Sequence, residues 1–128
     1  MSHHVYGKFI FRWACFAGAL LIIFNLFWLG AKPEVVTLFP LDPPLDKVVH
    51  LLVFGLIAAL LWFSAPGGLP YLVFAMVIAV AAADEIHQRD LPFRTPSLGD
   101  FAADLVGVLL VLVLLELARR RNKRSRVK

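Results

Sequence analysis

Acidic side chains concentrate in one short stretch of this chain, residues 84–104, which carries five of the nine acids. Apolar runs flank the stretch on both sides, at 71–83 and 105–115. Ionisable groups are expensive at membrane depth, so a cluster bounded by such runs indicates a functional site. Carboxylates can act there as general acids or bases, or as ligands for a hard cation.

Three pairs of polar residues recur at a spacing of four, which places both members of a pair on one face of a helix. The pairs are Asp46 with His50, Asp84 with Gln88, and Asp100 with Asp104. If successive helices alternate in direction, all three pairs reach the same membrane surface. The sequence therefore predicts one shared polar site.

His50 is the predicted general base or metal ligand of this site. Asp46, one turn away, would orient the ring and raise its basicity, whereas the alternative is a buried histidine with no role beyond packing. Asp46 and Asp100 could also be mere partners of a helix dipole, since both fall in a first turn. Ser97 with Asp100 resembles a capping box, which makes Ser97 a weak candidate nucleophile.

Asp84 and Glu85 lie in a last helical turn, where carboxylates are disfavoured. They are expected to need a cation, supplied by Lys47, Arg94 or a bound metal. Arg94 lies between two prolines and offers a planar fork that suits phosphate or carboxylate, although a salt bridge to one of the acids is an equal alternative. An unpaired, ionised Asp104 would raise the free energy of inserting the helix into the membrane by roughly 3 kcal/mol.

These arguments divide the candidate residues into two groups. The catalytic candidates are His50, Asp46, Asp84, Glu85 and Asp104. The candidates for substrate binding are Arg94, Lys47, Gln88, Ser97 and Asp100. No motif among them fixes the number of metal ions, so the cofactor stays unassigned, with a divalent cation as one option.

The composition is that of a membrane protein. Of the 128 residues, 60% are hydrophobic and only 17% are charged, far from the balance of a soluble domain. Cys15 is the only cysteine, so no intramolecular disulfide can form. Seven of the thirteen bases lie in residues 119–128, a distribution typical of a juxtamembrane tail and not of nucleic-acid recognition.

Hydropathy predicts an all-α integral membrane protein, an antiparallel bundle of four helices. The spans are about 9–29, 43–64, 69–88 and 97–118, which form one domain, 1–118, followed by the basic tail 119–128. The proline-rich segment 30–44 is expected to be an external loop, and 65–68 a tight turn. Small residues spaced by four predict close helix contacts at Ala103 with Gly107 and at Ala75, Ala79 and Ala83.

The distribution of bases predicts the orientation. With four spans, the side that holds both termini carries nine bases and one acid, whereas the other side carries four bases and eight acids. The positive-inside rule then places both termini in the cytoplasm of a cell whose inner or plasma membrane holds the protein. The candidate residues face outward.

Three blocks in order resemble the VanZ-like family of small bacterial membrane proteins. They are Asp46-Lys47-x-x-His50, then Asp84-Glu85-x-x-Gln88, then Arg94-x-x-Ser97-x-x-Asp100-x-x-x-Asp104-x-x-Gly107. The resemblance covers about residues 41–115. Many members carry Asn in place of Asp104, and a second glycine in place of Val111. The resemblance implies a link to resistance to the glycopeptide teicoplanin, without implying a defined reaction.

Three functions are compatible with these observations. The first is an enzyme or specific binder acting on an anionic lipid-linked or cell-envelope substrate at the outward face. The second is a non-catalytic accessory protein whose polar cluster only fixes the helix register. The third is a small efflux or ion-translocating oligomer, which is disfavoured because a translocation site is expected near the midplane, with repeat symmetry.

Overall fold

The computed structural model describes residues 2–38 and 40–126, and every described element is a helix or a connection between helices. The helices are α1 (Ser2–Gly30), α2 (Pro33–Leu38), α3 (Leu45–Ser64), α4 (Pro70–Arg89) and α5 (Leu98–Ser125). The four long helices match the four predicted spans. The predicted all-α bundle is therefore confirmed.

The helix ends differ from the prediction mainly where a span continues into polar sequence. Helix α1 begins at Ser2, well before the predicted residue 9, and α5 continues to Ser125 instead of ending at 118. Most of the basic tail is therefore helical, while Val127 and Lys128 lie outside the described residues. At its other end α5 begins as predicted, because the Ser97 side chain caps it by accepting a bond from the Gly99 amide (3.2 Å).

The segment 30–44 is not simply a loop, so that prediction was wrong in part. It contains the six-residue helix α2, in which Pro33 occupies the first position. A proline at this position destabilises the helix little, because the N–H group that proline lacks would have had no hydrogen-bond partner within the helix. Near the C-terminal end of α2, the Thr37 hydroxyl donates to the Pro33 carbonyl (3.0 Å) and so links the two ends of this short helix.

Helices Tyr6–Gly30, Leu45–Ser64, Pro70–Arg89 and Leu98–Ser125 are each long and apolar enough to cross a membrane. The protein is a multi-pass helical membrane protein associated with the lipid bilayer. The 20 residues of α3 span about 30 Å, the thickness of a bilayer core.

Helices α3 and α5 run in the same direction and approach most closely at Gly107. A Cβ on Gly107 would lie 2.2 Å from the Leu51 carbonyl oxygen, so only glycine fits there. The predicted close contact at Gly107 is confirmed. Ala75, Ala79 and Ala83 are instead exposed on the outside of the bundle, so the contact predicted for them was wrong.

Two hydrogen bonds show which chain segments share an end of the bundle. Arg12 Nε donates to the Ser64 carbonyl (2.9 Å), and Arg119 Nη1 donates to the Gly67 carbonyl (2.8 Å). Both terminal segments therefore lie beside the α3–α4 turn, at what is called here the terminal end. The opposite end, called the site end, holds α2, the beginnings of α3 and α5 and the end of α4.

The core is apolar toward the terminal end and polar toward the site end. Its apolar part includes the fully buried Phe54, Ile57, Ala58, Val77 and Val108. The buried polar residues are Asp84, Gln88, Asp100 and Asp104. Each of these belongs to the turns of α4 and α5 nearest the site end, so the polar groups are gathered in one half of the molecule.

Candidate functional site

His50 and Asp104 form the central contact between α3 and α5. Nδ1 of His50 lies 2.9 Å from Oδ1 of Asp104, whose side chain is completely buried. When Asp104 is ionised it can only accept, which puts the ring proton on Nδ1 and leaves Nε2 for a ligand. Phe54, one turn further along α3, stacks on the ring (centroids 6.2 Å apart) and limits its rotation.

This contact corrects one prediction. The carboxylate that orients His50 was expected to be Asp46, one turn away on the same helix, but it is Asp104 from α5. Asp46 instead accepts from Lys47, both from the backbone amide (2.8 Å) and from Nζ (2.9 Å). Asp46 and His50 do share a face of α3, but the rotation of α5 brings a closer partner to the ring.

Lys47 joins the beginnings of α3 and α5. Its Nζ lies 2.9 Å from Oδ2 of Asp46 and 2.9 Å from Oδ1 of Asp100. Gly99 makes room for this arrangement, because a Cβ there would lie 3.0 Å from Cε of Lys47. One ammonium group thus bridges two carboxylates at the entrance of the bundle.

The acids of α4 have neutral hydrogen-bond partners, and neither Lys47 nor Arg94, two of the cations expected for them, forms an ion pair with them. Oδ2 of Asp84 accepts from Nε2 of Gln88 (2.9 Å), and both side chains are buried. Oε2 of Glu85 accepts from the backbone amide of Ser97 (2.9 Å), which ties α4 to the residue that caps α5. Both carboxylates are thereby held in place without Lys47 or Arg94.

A cavity of about 690 Å³ opens at the site end, between α1, α2, the beginning of α3 and the α4–α5 connection. It is called the site cavity below. Five of the ten predicted site residues line it: Asp46, His50, Gln88, Arg94 and Asp100. The other five, which are not part of its lining, are Lys47, Asp84, Glu85, Ser97 and Asp104. Lys47, Asp84 and Asp104 bond to lining residues, whereas Glu85 bonds to Ser97.

The walls of the site cavity are largely apolar, which residue types alone did not predict. They come from Leu26 and Leu29 of α1, Val35 and Val36 of α2, Val49 and Val53 of α3, and Phe93. Sequence analysis missed these residues because each is an ordinary apolar residue in a span or a loop. The only available signal was the pair of valines between the prolines of 30–44, which α2 directs toward the cavity.

Arg94 reaches across the site cavity toward the last residue of α1. Its Nη2 atom would lie 3.7 Å from a Cβ on Gly30, so the guanidinium lies against the C-terminal end of α1, where the helix dipole favours a cation. Among residues 2–38 and 40–126, Arg94 forms no ion pair, and its buried Nε has no hydrogen-bond partner. The predicted alternative, a salt bridge to one of the acids, is therefore not formed.

Unpartnered buried polar atoms concentrate at this end of the molecule. Within the described part of the chain they are Oε1 of Glu85, Nε2 of His87, Nε of Arg94 and Oδ2 of Asp104. Buried polar atoms are normally hydrogen-bonded, and each exception needs an explanation. All four lie beside the site cavity or one turn from a residue that lines it, so the site end has donors and acceptors available for water or a ligand.

The described residues contain no group of three or more His, Cys, Asp or Glu side chains arranged to hold a metal ion. Asp46 and Asp100 share Lys47, Asp104 is paired with His50, and Asp84 and Glu85 accept from the Gln88 side chain and the Ser97 backbone amide, respectively. The chemistry that the residues themselves offer is acid–base chemistry at His50 and anion binding at Arg94.

Comparison with known proteins adds no relative: neither a family model, nor a curated protein, nor a solved structure matches the chain.

Proposed function

We propose that this protein is of the VanZ-like type and binds or transforms an anionic lipid-linked or cell-envelope substrate in the site cavity. The proposal includes the cytoplasmic placement of the termini, so that the cavity faces outward from the inner or plasma membrane, and a contribution to glycopeptide resistance. One observation carries it: the site cavity combines apolar walls with an arginine that has no carboxylate partner.

The electrostatics of the cavity support an anionic ligand. Asp46 and Asp100 on its wall share the single positive charge of Lys47, and Asp104 behind it is paired with His50. Asp42, also on the lining, forms no ion pair among the described residues. Arg94 is the arginine of the lining and forms no ion pair among the described residues, so an anionic ligand would supply its missing partner. A planar guanidinium binds phosphate or carboxylate in a bidentate manner, which suits a headgroup whose chain lies along Leu26, Leu29 and Val53.

His50 would act on such a substrate through Nε2. Asp104 fixes the ring through Nδ1 and stabilises the imidazolium that forms when Nε2 takes a proton. Gln88, one of the residues that line the cavity, donates from its amide to Asp84 and holds that carboxylate in place. In a binder, Gln88 and the protonated form of His50, which donates from Nε2 as well as from Nδ1, would fix the orientation of the headgroup.

The alternative is an accessory protein whose polar groups only fix the helix register. The satisfied pairs Gln88 with Asp84 and Lys47 with Asp100 favour it. The two functions differ in the effect of Asp84→Asn, Glu85→Gln and His50→Ala. A register network loses membrane abundance in all three variants, whereas a binding or catalytic site loses teicoplanin resistance at normal abundance. An ion-translocating oligomer is disfavoured, because the core between the cavity and the terminal end is apolar.

Lipid binding tests the proposal directly. We expect the purified protein in nanodiscs to bind a long-chain polyprenyl phosphate and not the corresponding polyprenol. Arg94→Gln should weaken the binding about a hundredfold, since a charge-assisted bidentate contact is lost. Arg89→Gln, which removes an exposed arginine outside the cavity, is the matched control and should leave the affinity unchanged. Equal binding of phosphate and alcohol would refute an anion site.

The orientation has its own test. In a Cys15→Ser background, a cysteine in place of the exposed Asp90 should react with a membrane-impermeant thiol reagent applied to intact cells. A cysteine in place of the exposed Arg121 should react only after the membrane is opened. The reverse pattern would place the site cavity in the cytoplasm and remove the envelope substrate from the proposal.

A further inference from the structure

A second cavity lies at the terminal end, on the side of the bundle where α1 meets the end of α3. It has a volume of about 330 Å³ and is lined by Phe9, Arg12, Trp13, Phe16 and Ser64. It is called the terminal groove below. The site cavity is at the opposite end of the bundle, so the function proposed for that cavity makes no use of this one.

Arg12 is held in a fixed place on the wall of the terminal groove. Its Nε donates to the carbonyl of Ser64, the last residue of α3, over 2.9 Å. That bond satisfies an otherwise unpaired carbonyl at a helix end. It also leaves the two terminal amino groups of the guanidinium as the remaining donors, in the fork geometry that matches a phosphate.

No carboxylate compensates Arg12 at this end of the molecule. The acid nearest the terminal end in sequence and structure is Glu116, and its two oxygens are occupied by Arg119 (2.9 and 3.0 Å) and Arg120 (2.8 Å). Within the described part of the chain, Arg12 forms no ion pair. Lys8, one turn earlier on the same face of α1, adds a second positive charge.

The rest of the terminal groove is aromatic. Phe9 packs edge-on against Trp13 (centroids 6.0 Å apart), and Trp13 packs edge-on against Phe16 (5.9 Å). Phe9 and Trp13 remain 60% and 58% exposed, respectively, so this wall faces the surroundings of the bundle, which are lipid. Tryptophan next to a basic residue at the end of a span is typical of the membrane interface, where the ring contacts both chain and headgroup.

We infer that the terminal groove is a binding site for one anionic phospholipid of the leaflet on the terminal side. Arg12 binds the phosphate through its two terminal amino groups, and the first acyl carbons lie against Phe9, Trp13 and Phe16. The bound lipid would bridge α1 and α3, the helices that the Arg12–Ser64 bond already joins. Its place in the fold makes it a structural lipid, distinct from any substrate of the site cavity.

Native mass spectrometry of the full chain, titrated with phosphatidylglycerol, tests this inference. We expect a first lipid that binds about tenfold more weakly to Arg12→Gln than to the unchanged protein. Arg121→Gln removes the same charge from the exposed part of α5 and should change this affinity by less than about twofold. Equal losses in the two variants would show that the basic tail attracts lipid without a defined site, and would overturn the inference.

A second pair of variants and a competition experiment complete the test. If Arg12→Gln does not fold, Trp13→Leu replaces it, with Trp28→Leu as control, because Trp28 is similarly exposed (57%) at the other end of α1. Only the change at Trp13 should weaken the first lipid. Inorganic phosphate should not displace the phosphatidylglycerol, and displacement at equal concentration would mean a simple anion site in place of a lipid site.

Discussion

The two halves of the contact between α3 and α5 have opposite chemistry on the same pair of parallel helices. Toward the terminal end Gly55 faces Val111, and Ala58 and Leu61 of α3 and Val108 and Leu112 of α5 belong to one buried apolar cluster. Toward the site end it is made by the His50–Asp104 and Lys47–Asp100 pairs. The apolar half contributes van der Waals packing between the two helices, whereas buried ion pairs such as those of the polar half often add little net stability.

The largest effect is expected from breaking the central pair of the polar half. Asp104→Ala leaves a cavity and removes the partner of the buried Nδ1, and should lower the free energy of unfolding by about 3–5 kcal/mol. Asp104→Asn keeps an oxygen that accepts from Nδ1 of His50 and should lower the free energy of unfolding by no more than about 1 kcal/mol. Thermal and denaturant unfolding in detergent measure both. Equal losses would show that the charge of Asp104, and not its acceptor oxygen, holds the helices in register.

A comparable effect is expected where the two halves meet. Gly107→Ala would place a Cβ 2.2 Å from the Leu51 carbonyl and force α3 and α5 apart, at a cost of about 3 kcal/mol. Gly18→Ala is the matched control, because a Cβ there makes ordinary contact with Leu60 at 3.6 Å. If both variants unfold at the same midpoint, then α3 and α5 do not approach as closely as described.

The smallest effect is expected at Asp46, and it tests the corrected partner of His50. Asp46→Asn should not shift the unfolding midpoint. Lys47 keeps its ion pair with Asp100, and the oxygen of the new amide can still accept a hydrogen bond from Lys47. The substitution should also leave binding at the site cavity intact. A loss as large as that of Asp104→Ala would mean that Asp46 orients the imidazole after all.

Sequence alone gave the spans and the gathering of polar groups, for reasons that the fold makes clear. Hydrophobic length sets a spanning helix, and alternating direction brings the ends of α3, α4 and α5 together. The partner of His50 could not be predicted in the same way. Whether Asp46 or Asp104 faces the ring depends on the rotation of α5, which the contact between Gly107 and Leu51 sets across two helices.

The site cavity was also beyond sequence analysis. Part of its apolar wall comes from α1 and α2, which carry none of the candidate site residues. Helix α2 was missed because three further prolines follow Pro33 within residues 30–44, and this hid the one position at which proline begins a helix. Charged residues thus indicated where chemistry could occur, whereas the shape of the cavity depended on residues with no chemistry of their own.

Ligand protection of a single cysteine tests the central claim most directly. Val49 lines the site cavity one residue before His50 and is partly exposed, so Val49→Cys in a Cys15→Ser background should react with a soluble thiol reagent. We predict that polyprenyl phosphate slows this reaction at least about tenfold and that polyprenol does not. The same rate with and without the phosphate would contradict a ligand site between His50 and Arg94.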